Sequence, residues 1–141
     1  MNHYRYEDLI IGMTEVFYAT VTEDMLDAFC ALSGDSNPLH MDADFARIHG
    51  FPDRVAQGML TASLLSRLGG VYLPGERCLI QSVEVKFLRP VFVGDTLEVR
   101  GTIAELNDSV RQIVLKAEMR NQRGEKVLRG VMKEGVLDER V

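Results

Sequence analysis

From Gly58 to Leu73 the chain is apolar on nearly every side, with Arg67 its single charge, and this stretch constrains the fold more than any other. A helix without a polar face is stable only in the middle of a domain. It falls short of a bilayer span, because Thr61, Ser63, Ser66, Arg67, Gly69 and Gly70 interrupt a run that would need roughly 20 apolar residues. The wrapping must therefore come from the remainder of 141 residues, which suffices for one core and not for two.

Four strand-like runs follow the helix: Cys78 to Phe87, Thr96 to Leu106, Arg111 to Asn121 and Lys126 to Val136. Their separators, Gly94-Asp95, Asn107-Asp108 and Arg123-Gly124, carry tight-turn chemistry. A further strand is expected from Thr14 to Val21, where β-branched and aromatic residues alternate. Thr22 then reads as the N-cap of a first helix, with Glu23 and Asp24 in its first turn, Met25, Phe29 and Leu32 on one face, and Gly34 as its stop. One buried helix and about five strands, the last four joined by short turns, predict an α+β domain over residues 1–141 with an antiparallel sheet curled around the helix. That is the hot-dog arrangement. Its edge strands would expose unpaired backbone groups, so a homodimer, alone or assembled further, is expected.

A net charge of −5 argues against sequence-independent binding to nucleic acid, which needs a positive field. Cys30 and Cys78 lack partners at metal-ligand spacing and read as small buried hydrophobes. The start of the chain, Met1 to Asp8, does not read as a signal peptide, and with no membrane span the cytoplasm is the default compartment. His40, Asp42, Asp44 and His49 follow no established ligand motif, so no metal is expected. Serine-hydrolase elbows, P-loops and dinucleotide fingerprints do not occur, and no cofactor is called for.

Chemistry concentrates in the long connection between Asp35 and Gly58, where one or two helical turns are expected around Asp44 to Ile48 with Asp42 as cap. In Ser33-Gly34-Asp35-Ser36-Asn37-Pro38-Leu39-His40, proline fixes its own φ and pushes Asn37 into an extended conformation. A carboxyl and an imidazole are thus presented on a stiffened segment, and both types exchange protons near neutral pH. Asp35 also reads as a turn acceptor after the helix, and His40 as a histidine bonded to backbone. The Gly58 N–H at the start of a buried helix suits a developing oxyanion; the glycine also reads as a packing device. Asn37 reads as a support for the loop or as a plain turn former. Ser66, two turns into the central helix, reads as a partner for Asp35 or as a serine bonded back into its own helix.

Taken together, these residues resemble the MaoC-like, or (R)-specific enoyl-CoA hydratase, family, whose signature Gly-Asp-x-Asn-Pro-(apolar)-His matches Gly34 to His40. Gln57 to Ser63 resembles the start of the family's central helix, and Val85 to Asp95 its characteristic strand and turn. One departure is Gln57, where many relatives carry histidine, and contacts to the acyl group are expected to differ there. The resemblance implies an enzyme that hydrates a trans-2-enoyl thioester with syn geometry to the (R)-3-hydroxyacyl thioester, reversibly. Asp35 and His40 would be its acid-base pair, Gly58 its oxyanion donor, Asn37 and Ser66 supporting residues, and an acyl-CoA its substrate. Arg47, Arg54, Lys86 and Arg89 are the basic residues nearest the motifs for the phosphates of coenzyme A. A thioesterase, or a non-catalytic acyl-CoA-binding module, on the same fold is the alternative.

Overall fold

The computed structural model describes residues 1–138. Strand β1 (Thr14–Thr20) leads into helix α1 (Glu23–Ser33), followed by short helices α2 (Pro38–Met41) and α3 (Ala43–Ile48) and the central helix α4 (Gly58–Arg67). A π-helical turn over Leu68–Tyr72 extends α4, and strands β2 (Cys78–Phe87), β3 (Thr96–Asn107), β4 (Gln112–Arg120) and β5 (Lys126–Val136) complete the chain. All strand pairs are antiparallel, in the order β1-β3-β4-β5-β2. The expected hot-dog architecture is what the chain adopts, and no helix among the described residues is long and apolar enough to cross a membrane.

Period-two alternation builds the core. Val99 and Ile103 of β3, Leu115 and Met119 of β4, and Leu128 and Met132 of β5 are fully buried on the face that carries α4. Their neighbours Arg100, Lys116, Glu118 and Arg129 point to the other face, where they line a shallow concavity of about 950 Å³. Gly101 shows how closely helix and sheet approach: a Cβ there would stand 2.9 Å from Leu68 Cδ2, so only glycine fits without a shift.

Several expectations need correcting. The central helix is not enclosed on every side in this chain: Leu60, Thr61, Leu64 and Leu65 are buried, whereas Met59, Ser63, Ser66 and Arg67 are exposed. Five strands wrap only part of its circumference, and the edge strand β2 is itself exposed along most of its length. In α1 the capping is as expected, with Thr22 Oγ1 accepting from Met25 N and Gly34 at φ +79°. Leu32, however, is 84% exposed, and Leu26 is the fully buried residue. Residues 31–33 are all exposed, so the last turn of α1 stands clear of the core. Cys30 and Cys78 are only partly buried.

Candidate active site

The stretch after α1 is more ordered than a loop. Gly34 closes α1 through its N–H to the Cys30 carbonyl, and the Asp35 N–H donates to Ser33 Oγ at 3.1 Å. Asp35 Oδ1 accepts from the Asn37 N–H at 3.3 Å, and Asn37 Oδ1 accepts from the Leu39 N–H at 3.0 Å, capping α2 with Pro38 at its first turn. Asp35 and His40 are therefore joined through Asn37, whose N–H donates to Asp35 Oδ1 and whose carbonyl oxygen accepts from the His40 N–H at 2.9 Å. Helix α3 follows, capped by Asp42 through the N–H groups of Asp44 and Phe45.

His40 Nδ1 lies 2.7 Å from the Val55 carbonyl oxygen. A carbonyl can only accept, so Nδ1 carries a proton, and in the neutral ring the lone pair is on Nε2. That nitrogen faces Asp35 Oδ2 at 3.7 Å. The gap is too wide for a good direct hydrogen bond and suits two groups that share one water or one substrate edge. The imidazole side chain is 14% exposed and the carboxyl 42%, so the pair stands at a boundary between core and solvent.

Beside the pair lies a cavity of about 360 Å³ that both His40 and Gly58 line, with Leu39, Val55 and Phe87 among its walls. Gly58 opens α4 without a side-chain cap, which leaves the first N–H groups and the positive end of the helix available to a ligand. A Cβ on Gly58 would stand 3.2 Å from the Phe87 ring. The glycine thus serves close packing as well as exposing its N–H.

A family model for the MaoC-like domain matches residues 12–125. The chain belongs to that family. It is 37% identical over 101 residues to a 3-hydroxybutyryl-CoA dehydratase of Methylorubrum extorquens, covering 72% of this chain and 64% of the relative, less than two thirds of its length. It is 36% identical over 104 residues to an (R)-specific enoyl-CoA hydratase of Rhodospirillum rubrum, covering 74% and 72%. Among solved structures it is similar to an (R)-hydratase from A. caviae involved in PHA biosynthesis, with a TM-score of 0.90 and 30% identity over 93% of this chain and 99% of that one. An unliganded R-hydratase from Pseudomonas aeruginosa gives a TM-score of 0.91 at 31% identity, covering 96% and 86%.

Within this MaoC-like domain, two residues support the site in ways the sequence did not disclose. Arg54 is buried; its Nε donates to the His40 carbonyl oxygen at 2.5 Å and its Nη2 to Asp27 Oδ1 on α1 at 2.7 Å. That guanidinium is committed to holding the loop, which removes Arg54 from the residues considered for coenzyme A phosphates. Arg47 pairs with Asp44 and Arg89 with Glu125. Gln57, 1% exposed, donates from Nε2 to the Leu26 carbonyl oxygen at 3.1 Å and so ties the start of α4 to α1, its side chain turned into the core. Ser66 is exposed and makes no hydrogen bond to Asp35 among the described residues; the serine that bonds back into its helix is Ser63, to the Leu60 carbonyl oxygen at 2.5 Å.

Proposed function

We propose that this chain, as a cytoplasmic homodimer, catalyses the reversible syn hydration of trans-2-enoyl-CoA to (R)-3-hydroxyacyl-CoA. One observation carries the reading: an imidazole with its lone pair on Nε2 faces a carboxyl 3.7 Å away, beside a cavity lined by an uncapped helix start. His40 Nε2 takes a proton from water as the water oxygen bonds to C3 of the enoyl group. Asp35 delivers a proton to C2 on the same face, and charge that builds on the thioester oxygen is met by the Gly58 N–H. Water is consumed and no redox partner is needed. Dehydration runs the same transfers backwards, with donor and acceptor exchanged. The names of the relatives agree with this chemistry, and edge strand β2, with Leu79, Ile80 and Val83 exposed, offers a surface for a second copy.

Hydration of crotonyl-CoA, followed by loss of enoyl absorbance with the configuration of the product determined, tests the reading. Asp35→Asn and His40→Ala are each expected to lower turnover at least ~100-fold while the fold is retained. Near-normal turnover by either variant removes that residue from the mechanism.

A further inference from the structure

Thr61 stands one turn into α4, after Gly58, and lines the same cavity as Gly58 and His40. Its backbone N–H closes the first turn of the helix on the Gln57 carbonyl oxygen at 3.2 Å, while the Gly58 N–H, one turn earlier, has no intrahelical acceptor. Side chains of a helix lean towards its amino end, so that of Thr61 reaches back over Gly58. Among the described residues, the side chains in the cavity wall are apolar apart from His40, Thr61 and Arg89, and Arg89 is paired with Glu125. Ser66, the hydroxyl singled out from the sequence, is exposed and stands outside this wall.

The fold makes no use of that threonine's hydroxyl. Ser33 and Ser63 turn theirs back to the Phe29 and Leu60 carbonyl oxygens of their own helices, whereas Thr61 Oγ1 makes no hydrogen bond among the described residues. Thr61 is only 4% exposed, yet its oxygen is not among the polar atoms sealed from solvent, so the hydroxyl opens onto the cavity. A polar group in such a place is expected to have a partner, and valine would fill the same volume without needing one. Distance decides what that partner is. Positions three apart on a helix lie about 5–6 Å apart at their β-carbons. Two hydrogen bonds of about 2.9 Å can meet on one oxygen only when their donors are less than about 6 Å apart, and residues at the spacing of Gly58 and Thr61 fall within that limit.

We propose that the Thr61 hydroxyl is a second hydrogen-bond donor to the thioester oxygen, acting with the Gly58 N–H on the charge that develops there during hydration. This rests on the hydratase reading and adds a residue to the same site. The hydroxyl donates and keeps its proton, so the transfers by His40 and Asp35 are unchanged. A bond to that oxygen strengthens as charge moves onto it, and its loss therefore falls on kcat more than on KM.

The test compares Thr61→Val, which removes the hydroxyl and keeps the shape, with Thr61→Ser, which keeps the hydroxyl, in the hydration of crotonyl-CoA. The valine variant is expected to lose at least about tenfold in kcat with KM changed less than about threefold, and the serine variant to recover most of that loss. A second readout is the absorbance of a bound conjugated dienoyl-CoA, whose long-wavelength band moves to the red when its carbonyl is polarised. In an Asp35→Asn background that binds without turnover, Thr61→Val should lose most of that shift and Thr61→Ser should keep it. The Tm of the valine variant should not fall below that of the wild type, because the hydroxyl has no bond within the protein to lose. An unchanged kcat, a loss of kcat with the red shift intact, or a clearly lower Tm each overturns the proposal and leaves the hydratase standing. Failure of the wild-type protein to hydrate any enoyl-CoA overturns both.

Discussion

Arg54 reaches Asp27 across the space between the segment that precedes α4 and the middle of α1, at 2.7 Å, and with its Nε it holds the carbonyl oxygen of His40. His40 is thereby fixed from two directions: its ring by Val55 and its backbone by a buried guanidinium. Charge-assisted bonds of this kind are stronger than neutral ones, and their loss leaves partners unmatched. Arg54→Met is expected to cost about 1–3 kcal/mol of stability and to lower kcat by at least about tenfold through displacement of His40. Asp27→Asn should do much less, because the Asp27 side chain is 56% exposed and water can replace it. Chemical denaturation and steady-state kinetics on the two variants check both statements. A normal kcat for Arg54→Met would mean that His40 holds its place without the clamp.

Gly58 separates shape from hydrogen bonding in a way that one pair of substitutions can resolve. It stands at the first position of α4, and the residue before it, Gln57, has φ −55° and ψ 131°, a conformation compatible with a following proline. Gly58→Pro removes the N–H without breaking the helix, whereas Gly58→Ala keeps the N–H and places a Cβ 3.2 Å from the half-exposed Phe87 ring. Both variants meet that ring, and only one loses the donor. Loss of an oxyanion donor should lower kcat by about 10²-fold in the proline variant, and the alanine variant should lose activity mainly through KM. Equal kcat in the two would show that the N–H takes no part in catalysis.

The fold was legible because its pattern is redundant. Alternation in β3, β4 and β5 repeats the same inward positions three times, and the glycine-containing turns leave little freedom in how the strands connect. Asp35, Asn37 and His40 were legible for a related reason: Pro38 limits the backbone between them, so their proximity is local. Arg54 and Gln57 were not. Each acts on a partner in α1 distant in sequence, and nothing in the local pattern marks a buried arginine or glutamine as a clamp. Leu32 misled because helical periodicity reports which residues share a face, not how far the helix extends beyond the core it covers. Glu134 sits in a strand whose alternation assigns it inward, yet a lone acid at an inward position gives no sign of what it faces.

Edge strand β2 carries the prediction about assembly. It pairs with β5 on one side only, and Leu79 and Ile80 are 52% and 37% exposed. An unpaired edge with apolar side chains is a template for a second chain. The wild-type protein should sediment as a dimer, and the double substitution Leu79→Glu, Ile80→Glu should shift it to monomer at micromolar concentration, because like charges would be brought together across the shared edge. A monomeric wild type, or a charge-substituted variant that stays dimeric, would place the contact elsewhere.

The buried acid at position 134 also makes a prediction about stability that does not depend on any substrate. Its pKa is raised from 4.5 to about 8, with burial as the main cause and the Cys78 thiol as a weaker opposing one. Below pH 4.5 the group is protonated in both folded and unfolded chains and contributes no pH dependence. Between 4.5 and about 8 the unfolded chain releases this proton and the folded chain keeps it, so unfolding is progressively favoured as pH rises. Above about 8 both forms are ionised and the loss is complete, on the order of a few kcal/mol. Glu134→Gln removes the titration while keeping the shape. Its Tm should fall less than that of the wild type between pH 5 and pH 8, and the two curves should draw together towards the acid end. Parallel curves across that window would mean that the carboxyl finds a partner in solution and is not held neutral by burial.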